Sequence, residues 1–116
     1  GQRSYAYSEM NGRTALVSQA AARAAAAGIL VVVSAGNEGL TADPYIGAPC
    51  DADSVLCVGA QDSLGMAAPF SNRGPSADGR VKPDVSSLGV AAPVVTAGGA
   101  LGLRSGTSLS APAVAG

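Results

Sequence analysis

Residues 29–35 limit the folds available to this chain more than any other segment. Their sequence, ILVVVSA, is an almost unbroken apolar run that is rich in β-branched side chains. Such a run is typical of a strand that is buried on both faces, whereas a strand with one solvated face alternates apolar and polar residues. The run therefore predicts a strand inside a parallel sheet, and hence an α/β fold.

The segments on either side agree with an α/β arrangement. Residues 13–27 are rich in alanine, the best helix former, and predict a helix that Asn11 or Thr14 caps. Gly28 fits the position just past the end of that helix. Residues 54–60, SVLCVGA, predict a second apolar strand. A helix followed by two strands of this kind is expected in a parallel α/β sheet.

The second half of the chain predicts less regular structure. Residues 69–85, PFSNRGPSADGRVKPDV, contain Gly-Pro and Asp-Gly turn signals and are predicted to be mostly loop. Residues 92–98, APVVTAG, predict a third short strand, and residues 98–106 predict a flexible approach to a helix that starts near Ser108. The expected result is part of a parallel α/β sheet.

Composition excludes several classes of partner. Seven basic and eight acidic residues give a net charge of −1, so we expect no nucleic-acid partner and no anionic membrane surface. The longest apolar run is too short to span a bilayer. No acidic cluster has the spacing of a calcium site, so neither a metal nor a cofactor is predicted. At 116 residues the chain forms at most one domain.

The two cysteines, Cys50 and Cys57, are seven residues apart and leave two interpretations open. They are either two buried thiols at the start of a strand or the two ends of a local disulfide. A structural zinc site needs four ligands, which two cysteines in a chain without histidine do not supply.

Two polar stretches are candidates for chemistry. Asn37 follows the 29–35 strand, and ligands of open α/β sheets bind beyond the carboxyl ends of the strands. Its amide is a neutral donor suited to an oxyanion, although an asparagine between glycines also suits a plain turn. Ser108 lies at the start of a helix, where free N–H groups favour developing negative charge. The simpler interpretation is that Thr107 or Ser108 only caps that helix.

Together these stretches closely resemble the subtilisin-like serine proteases, or subtilases. The resemblance rests on GILVVVSAGNEG at 28–39, SVLCVGAQDS at 54–63, FSNRGPSADGRVKPDV at 70–85 and SGTSLSAPAVAG at 105–116, in the family's order. Leu109 and Ser110 stand where the family more often has Met-Ala, a change that we expect to be tolerated. The implied fold is a three-layer α/β sheet of the subtilisin type, present as a partial domain.

The resemblance implies a role for each matching residue. Ser108 would be the nucleophile, and Asn37 would donate to the oxyanion of a peptide or protein substrate. One wall of the pocket for the substrate side chain before the scissile bond would be lined by Ser34, Ala35 and Gly36. Gly47 would form the floor of that pocket. Secretion is likewise implied by the resemblance.

The family's catalytic Asp and His motifs are not in this sequence, which contains no histidine. We therefore interpret residues 1–116 as the back half of a catalytic domain, whose N-terminal half is the missing partner and without which the chain is inactive. Unpaired strand edges would lead the isolated chain to self-associate or leave the Ser108 segment partly disordered. The alternative is a non-catalytic subtilase-like domain used for binding or structure.

Overall fold

The computed structural model describes residues 4–116, and its centre is a three-stranded parallel sheet. The strands are β1 (Val32–Ser34), β2 (Leu56–Gln61) and β3 (Val85–Leu88), in the spatial order β1-β2-β3. Ser34 lies opposite Val58 and Val58 lies opposite Val85, so the carboxyl ends of β1 and β2 point the same way. The predicted α/β class with a parallel sheet is confirmed.

Two α-helices accompany this sheet. Helix α1 (Leu16–Ala26) ends just before Gly28, whose φ of +90° is the left-handed value expected past a helix end. A short 3₁₀ helix, Tyr7–Glu9, precedes α1. The predicted cap is wrong, because the helix begins after Ala15 with no side-chain cap. Asn11 instead accepts hydrogen bonds from the N–H groups of Arg13 and Thr14, within the turn before the helix.

The second helix, α2 (Thr107–Ala115), contacts all three strands on one face of the sheet. The opposite face carries a small apolar cluster in which Val33 packs against four buried side chains: Ala35, Ile46, Cys50 and Cys57. Helix α1 joins that side through a hydrogen bond from the Ser18 hydroxyl to the buried carboxylate of Asp51. The sheet therefore separates α2 from the cluster and α1, in the layered order that the fold class requires.

The 29–35 strand is shorter and less buried than predicted. Its assigned part covers only Val32–Ser34, all three residues are half-buried, and Ile29 and Leu30 are 59% and 71% exposed. The run is exposed because β1 lies at the edge of the sheet formed by residues 4–116, where only β2 pairs with it. An apolar run shows that a strand is suited to burial, but not how many neighbours it has.

The predicted third strand belongs to a different sheet. Strand β4 (Ala92–Val95) forms an antiparallel hairpin with β5 (Leu101–Arg104), within the stretch predicted to be flexible. The third parallel strand is instead β3, whose first residue, Val85, closes the stretch predicted to be loop. Turn signals located the loops correctly but gave no information on which strands pair.

Cys50 and Cys57 form a disulfide, with their Cα atoms 5.1 Å apart. Of the two interpretations left open, the local disulfide is therefore confirmed. It joins β2 to the turn that follows Gly47, within the apolar cluster against which Val33 of β1 packs. No helix among residues 4–116 is long and apolar enough to cross a bilayer.

Candidate active site

The end of β1 and the start of α2 are joined through the side chain of Asn37. Its Oδ1 accepts hydrogen bonds from the backbone N–H of Thr107 at 2.9 Å and from the Thr107 hydroxyl at 3.0 Å. The same hydroxyl accepts the N–H of Gly36 at 3.2 Å. These bonds connect segments that are 70 residues apart in the sequence.

The bonds also fix which way the Asn37 amide faces. An N–H donor must meet the carbonyl oxygen of an asparagine rather than its NH₂ group, so Oδ1 is the atom directed at Thr107. Among the described residues Nδ2 has no hydrogen-bond partner, so it remains available as a donor. A Cβ placed on Gly106 would lie 3.1 Å from Ser108 Oγ, 3.8 Å from Asn37 Nδ2 and 3.9 Å from Asn37 Oδ1. The serine oxygen and the end of the Asn37 amide thus border one small space, which stays open because residue 106 is glycine.

Ser108 is the second residue of α2, and its side chain is exposed. The residue before the helix is Gly106, and no side chain caps the helix. The capping interpretation of Thr107 and Ser108 is therefore wrong. Of the N–H groups in the first turn, that of Thr107 is bonded to Asn37 and that of Leu109 to the Gly106 carbonyl at 3.1 Å. The N–H of Ser108 has no intrahelical acceptor at this position, which leaves it free for an anionic group.

A groove of about 350 Å³ opens beside Ser108, between β1 and α2. It is lined by Val32, Ser34, Ser108, Ala111, Pro112 and Ala115. No ionisable side chain is among these residues, and the sequence contains no histidine. Within residues 4–116, the groove therefore supplies a hydroxyl and hydrogen-bond donors but no proton acceptor of suitable basicity.

The predicted pocket residues are only partly brought together. Ser34 lines the groove with Ser108, whereas the Ala35 side chain is buried in the apolar cluster, so only its backbone is able to face a ligand. Gly36 has a φ of +110°, and its N–H donates a hydrogen bond to the Thr107 hydroxyl. A Cβ on Gly47 would meet no atom within 4 Å, which fits a residue that borders open space.

Sequence reasoning missed three residues that hold Asn37 in place. Thr107 orients the Asn37 amide, and the Glu38 carboxylate accepts the Asn37 N–H at 2.9 Å. Asn72 accepts the Glu38 N–H at 2.6 Å. The signal for Asn72 was present in the FSN motif, but a hydrogen bond over 34 residues cannot be read from that motif alone.

Charged groups outside the site form a separate network. A hydrogen bond from Arg80 Nε at 2.8 Å lowers the pKa of the Asp78 carboxyl to about 2, and the Ser76 hydroxyl contributes in the same direction. Arg80 also donates to the carbonyl of Asp51. No group of three or more potential metal ligands occurs in the part of the chain that the structure describes.

Comparison with known proteins defines the class. The model of the subtilase family (peptidase S8) matches residues 2–116, so this chain belongs to the subtilase family. Among individual relatives, it is 36% identical over 95 residues to subtilisin from Bacillus pumilus, an alignment that covers 81% of this chain and 32% of that protein. It is also 36% identical over 105 residues to alkaline serine protease ver112 from Corniculantispora psalliotae, covering 90% and 25%.

A solved structure gives the same result for the fold. The chain resembles the self-cleaved protease domain of PatA with a TM-score of 0.69 and 29% identity, over 84% of this chain and 35% of that one. The resemblance to subtilases and the partial-domain fold class are thereby confirmed. The chain spans about a third or less of the length of these relatives.

Proposed function

We propose that this chain is the nucleophile-bearing part of a serine endopeptidase catalytic domain. The observation that carries the proposal is the bridge from Thr107 to Asn37, which uses Oδ1, leaves the Nδ2 donor unused and holds the amide beside the same space as the Ser108 hydroxyl, at a helix N-terminus. Membership of the subtilase family agrees with it. Residues 1–116 are then the back half of that domain.

In this mechanism, Ser108 Oγ attacks the carbonyl carbon of a peptide bond and loses its proton to a base. The carbonyl oxygen becomes an oxyanion, which accepts hydrogen bonds from Asn37 Nδ2 and from the N–H of Ser108. Such fixed donors stabilise the transition state because they need not reorganise as the charge develops. Removal of one side-chain donor lowers kcat by about 10²–10³, a factor measured in subtilisin, a member of this family, rather than worked from this structure.

The base must come from outside these 116 residues, because the chain has no histidine and the groove has no substitute. We assign it to the N-terminal half of the domain, which would supply a His and its orienting Asp in the family's manner. The groove beside Ser108 and the exposed residues Ile29 and Leu30, which precede β1, are the surfaces that this half would cover. Without it, the isolated chain leaves an unpaired strand edge and tends to self-associate.

The substrate is a peptide or protein chain, and its side chain before the scissile bond would pass between the 34–36 wall and Gly47. The small residues Ser34, Gly36 and Gly47 leave room for a large apolar side chain. An extracytoplasmic location fits the Cys50–Cys57 disulfide, which persists in oxidising compartments. One relative, from Dichelobacter nodosus, is named an extracellular basic protease.

The test compares the complete catalytic domain with the 116-residue chain, using a fluorophosphonate probe and a chromogenic peptide. The complete domain should be labelled at Ser108 and should hydrolyse the peptide, and Ser108→Ala should abolish both. The isolated chain should be inactive, since loss of the histidine alone costs about 10⁶ in kcat in subtilisin itself. Sedimentation of the isolated chain at several concentrations tests its self-association. A complete domain that is folded but unlabelled would instead establish a non-catalytic subtilase-like protein.

A further inference from the structure

Asn72 lies between the two loops that border the candidate site, and only 6% of its surface is exposed. Its Oδ1 accepts the N–H of Glu38 at 2.6 Å, and its Nδ2 donates to the carbonyl of Tyr45 at 2.8 Å. Its own backbone N–H donates to the carbonyl of Gly36 at 3.0 Å. One residue thus holds the loop on each side of Asn37 and the loop residue Tyr45, two residues before Gly47.

From this geometry we propose that Asn72 is a positioning residue that fixes the place of the backbone carrying the Asn37 donor relative to the 45–47 segment. The inference rests on the proposed function, because it assigns Asn72 a role in the same site. Asn72 would not touch the substrate. It acts through Gly36 and Glu38, the two neighbours of Asn37 in the chain.

Only an asparagine-like side chain satisfies both loops. The Glu38 N–H requires an acceptor and the Tyr45 carbonyl requires a donor, and a carboxamide offers both from one planar group. A Cβ on Gly36 would lie 2.6 Å from Asn72 Nδ2, so the loop passes directly over the amide. This close approach, with a φ of +110° at Gly36, leaves the loop little freedom to move while Asn72 is in place.

The loop also depends on Asn72 for the placement of Asn37 itself. Thr107 holds the far end of the Asn37 side chain, but the backbone that carries Asn37 is held by Gly36 and Glu38. If the Glu38 N–H lost its acceptor, the backbone of 36–38 would be free to shift relative to α2. A small displacement of an oxyanion donor is expected to lower kcat, because the donor stabilises the transition state only when it is already in place.

The experiment is a double-mutant cycle in the complete catalytic domain, with kcat and KM measured on a chromogenic peptide. Asn72→Ala should lower kcat about tenfold. In the Asn37→Ala background the same change should lower kcat less than about twofold, because the donor that Asn72 positions is already absent. Asn72→Asp keeps an acceptor for Glu38 and should recover part of the lost kcat, while its lost donor to Tyr45 raises KM.

Ser18→Ala is the matched control, because it also removes a buried side-chain hydrogen bond, to Asp51, on the far side of the sheet. It should lower stability and leave kcat unchanged. If Asn72→Ala and Asn37→Ala lower kcat independently, or if Asn72→Ala behaves like Ser18→Ala, the positioning role is wrong. Should Asn72→Ala fail to fold, Asn72→Asp in both backgrounds decides in the same way.

The two proposals fail in different ways. An unmutated domain that neither cleaves peptide nor labels at Ser108 would contradict the proposed function. An active domain in which Asn37→Ala lowers kcat strongly while Asn72→Ala does not would keep the proposed function and overturn the role of Asn72.

Discussion

Replacement of Thr107 by valine tests the bridge on which the site depends. Thr107 is only 1% exposed. Its hydroxyl donates a hydrogen bond to Asn37 Oδ1 and accepts one from the Gly36 N–H. Valine has the same shape without the hydroxyl, so the packing is kept and both bonds are lost. The backbone N–H of residue 107 still donates to Asn37.

The expected loss of stability follows from these contacts. Two net hydrogen bonds contribute about 1 kcal/mol each, and a partly buried Gly36 N–H without an acceptor adds to the loss, so Thr107→Val should cost about 2–3 kcal/mol. Thr107→Ser keeps the hydroxyl and removes one buried methyl group, which should cost about 1 kcal/mol. We therefore expect valine to be more destabilising than serine, although it matches threonine more closely in volume.

Denaturant unfolding of the complete catalytic domain measures this difference, and a Ser108→Ala background prevents self-digestion. In the active background, Thr107→Val should lower kcat by up to about tenfold, or about 1.4 kcal/mol, because Asn37 loses one of its two anchors. Thr107→Ser should retain most of kcat. Equal destabilisation by valine and serine, or full kcat in the valine variant, would refute the view that this hydroxyl holds the donor in place.

Three further outcomes follow from buried and charged groups. Ser110→Ala should raise stability by about 1 kcal/mol in thermal or denaturant unfolding, because the buried Ser110 hydroxyl has no hydrogen-bond partner among residues 4–116; an unchanged or lower stability would show that the hydroxyl is satisfied. Removal of the disulfide by Cys50→Ala with Cys57→Ala should lower the free energy of unfolding by about 2–3 kcal/mol for so short a loop. The unmutated chain, prepared without reductant and then denatured, should titrate no free thiol. The folded pKa of Asp78, about 2, lies below its unfolded value of about 3.9, so its pairing with Arg80 stabilises the fold above about pH 4 and is lost as pH falls towards 2. Because Asp78 is a third exposed, the effect should be no more than about 1 kcal/mol, visible as a weaker acid dependence of unfolding in Asp78→Asn.

The class of fold follows from the sequence alone, and the sequence motifs also predict the two residues at the centre of the candidate site. An apolar β-branched run, an alanine-rich helix and a glycine just past its end are local properties, and they predict elements without knowledge of their neighbours. The motifs around Asn37 and Ser108 similarly predicted the family. The cysteine spacing permitted a disulfide but did not decide it.

The pairing of strands and of side chains, by contrast, could be read from the folded structure alone. The edge position of β1, the place of β3 in the parallel sheet and the β4–β5 hairpin depend on hydrogen bonds between strands distant in the sequence, which short apolar runs do not encode. The orientation of the Asn37 amide depends on Thr107, and the anchoring of its loop depends on Asn72, through bonds that span 70 and 34 residues. The chemical type of a side chain is local, but the direction in which it donates is set by the groups that folding brings beside it.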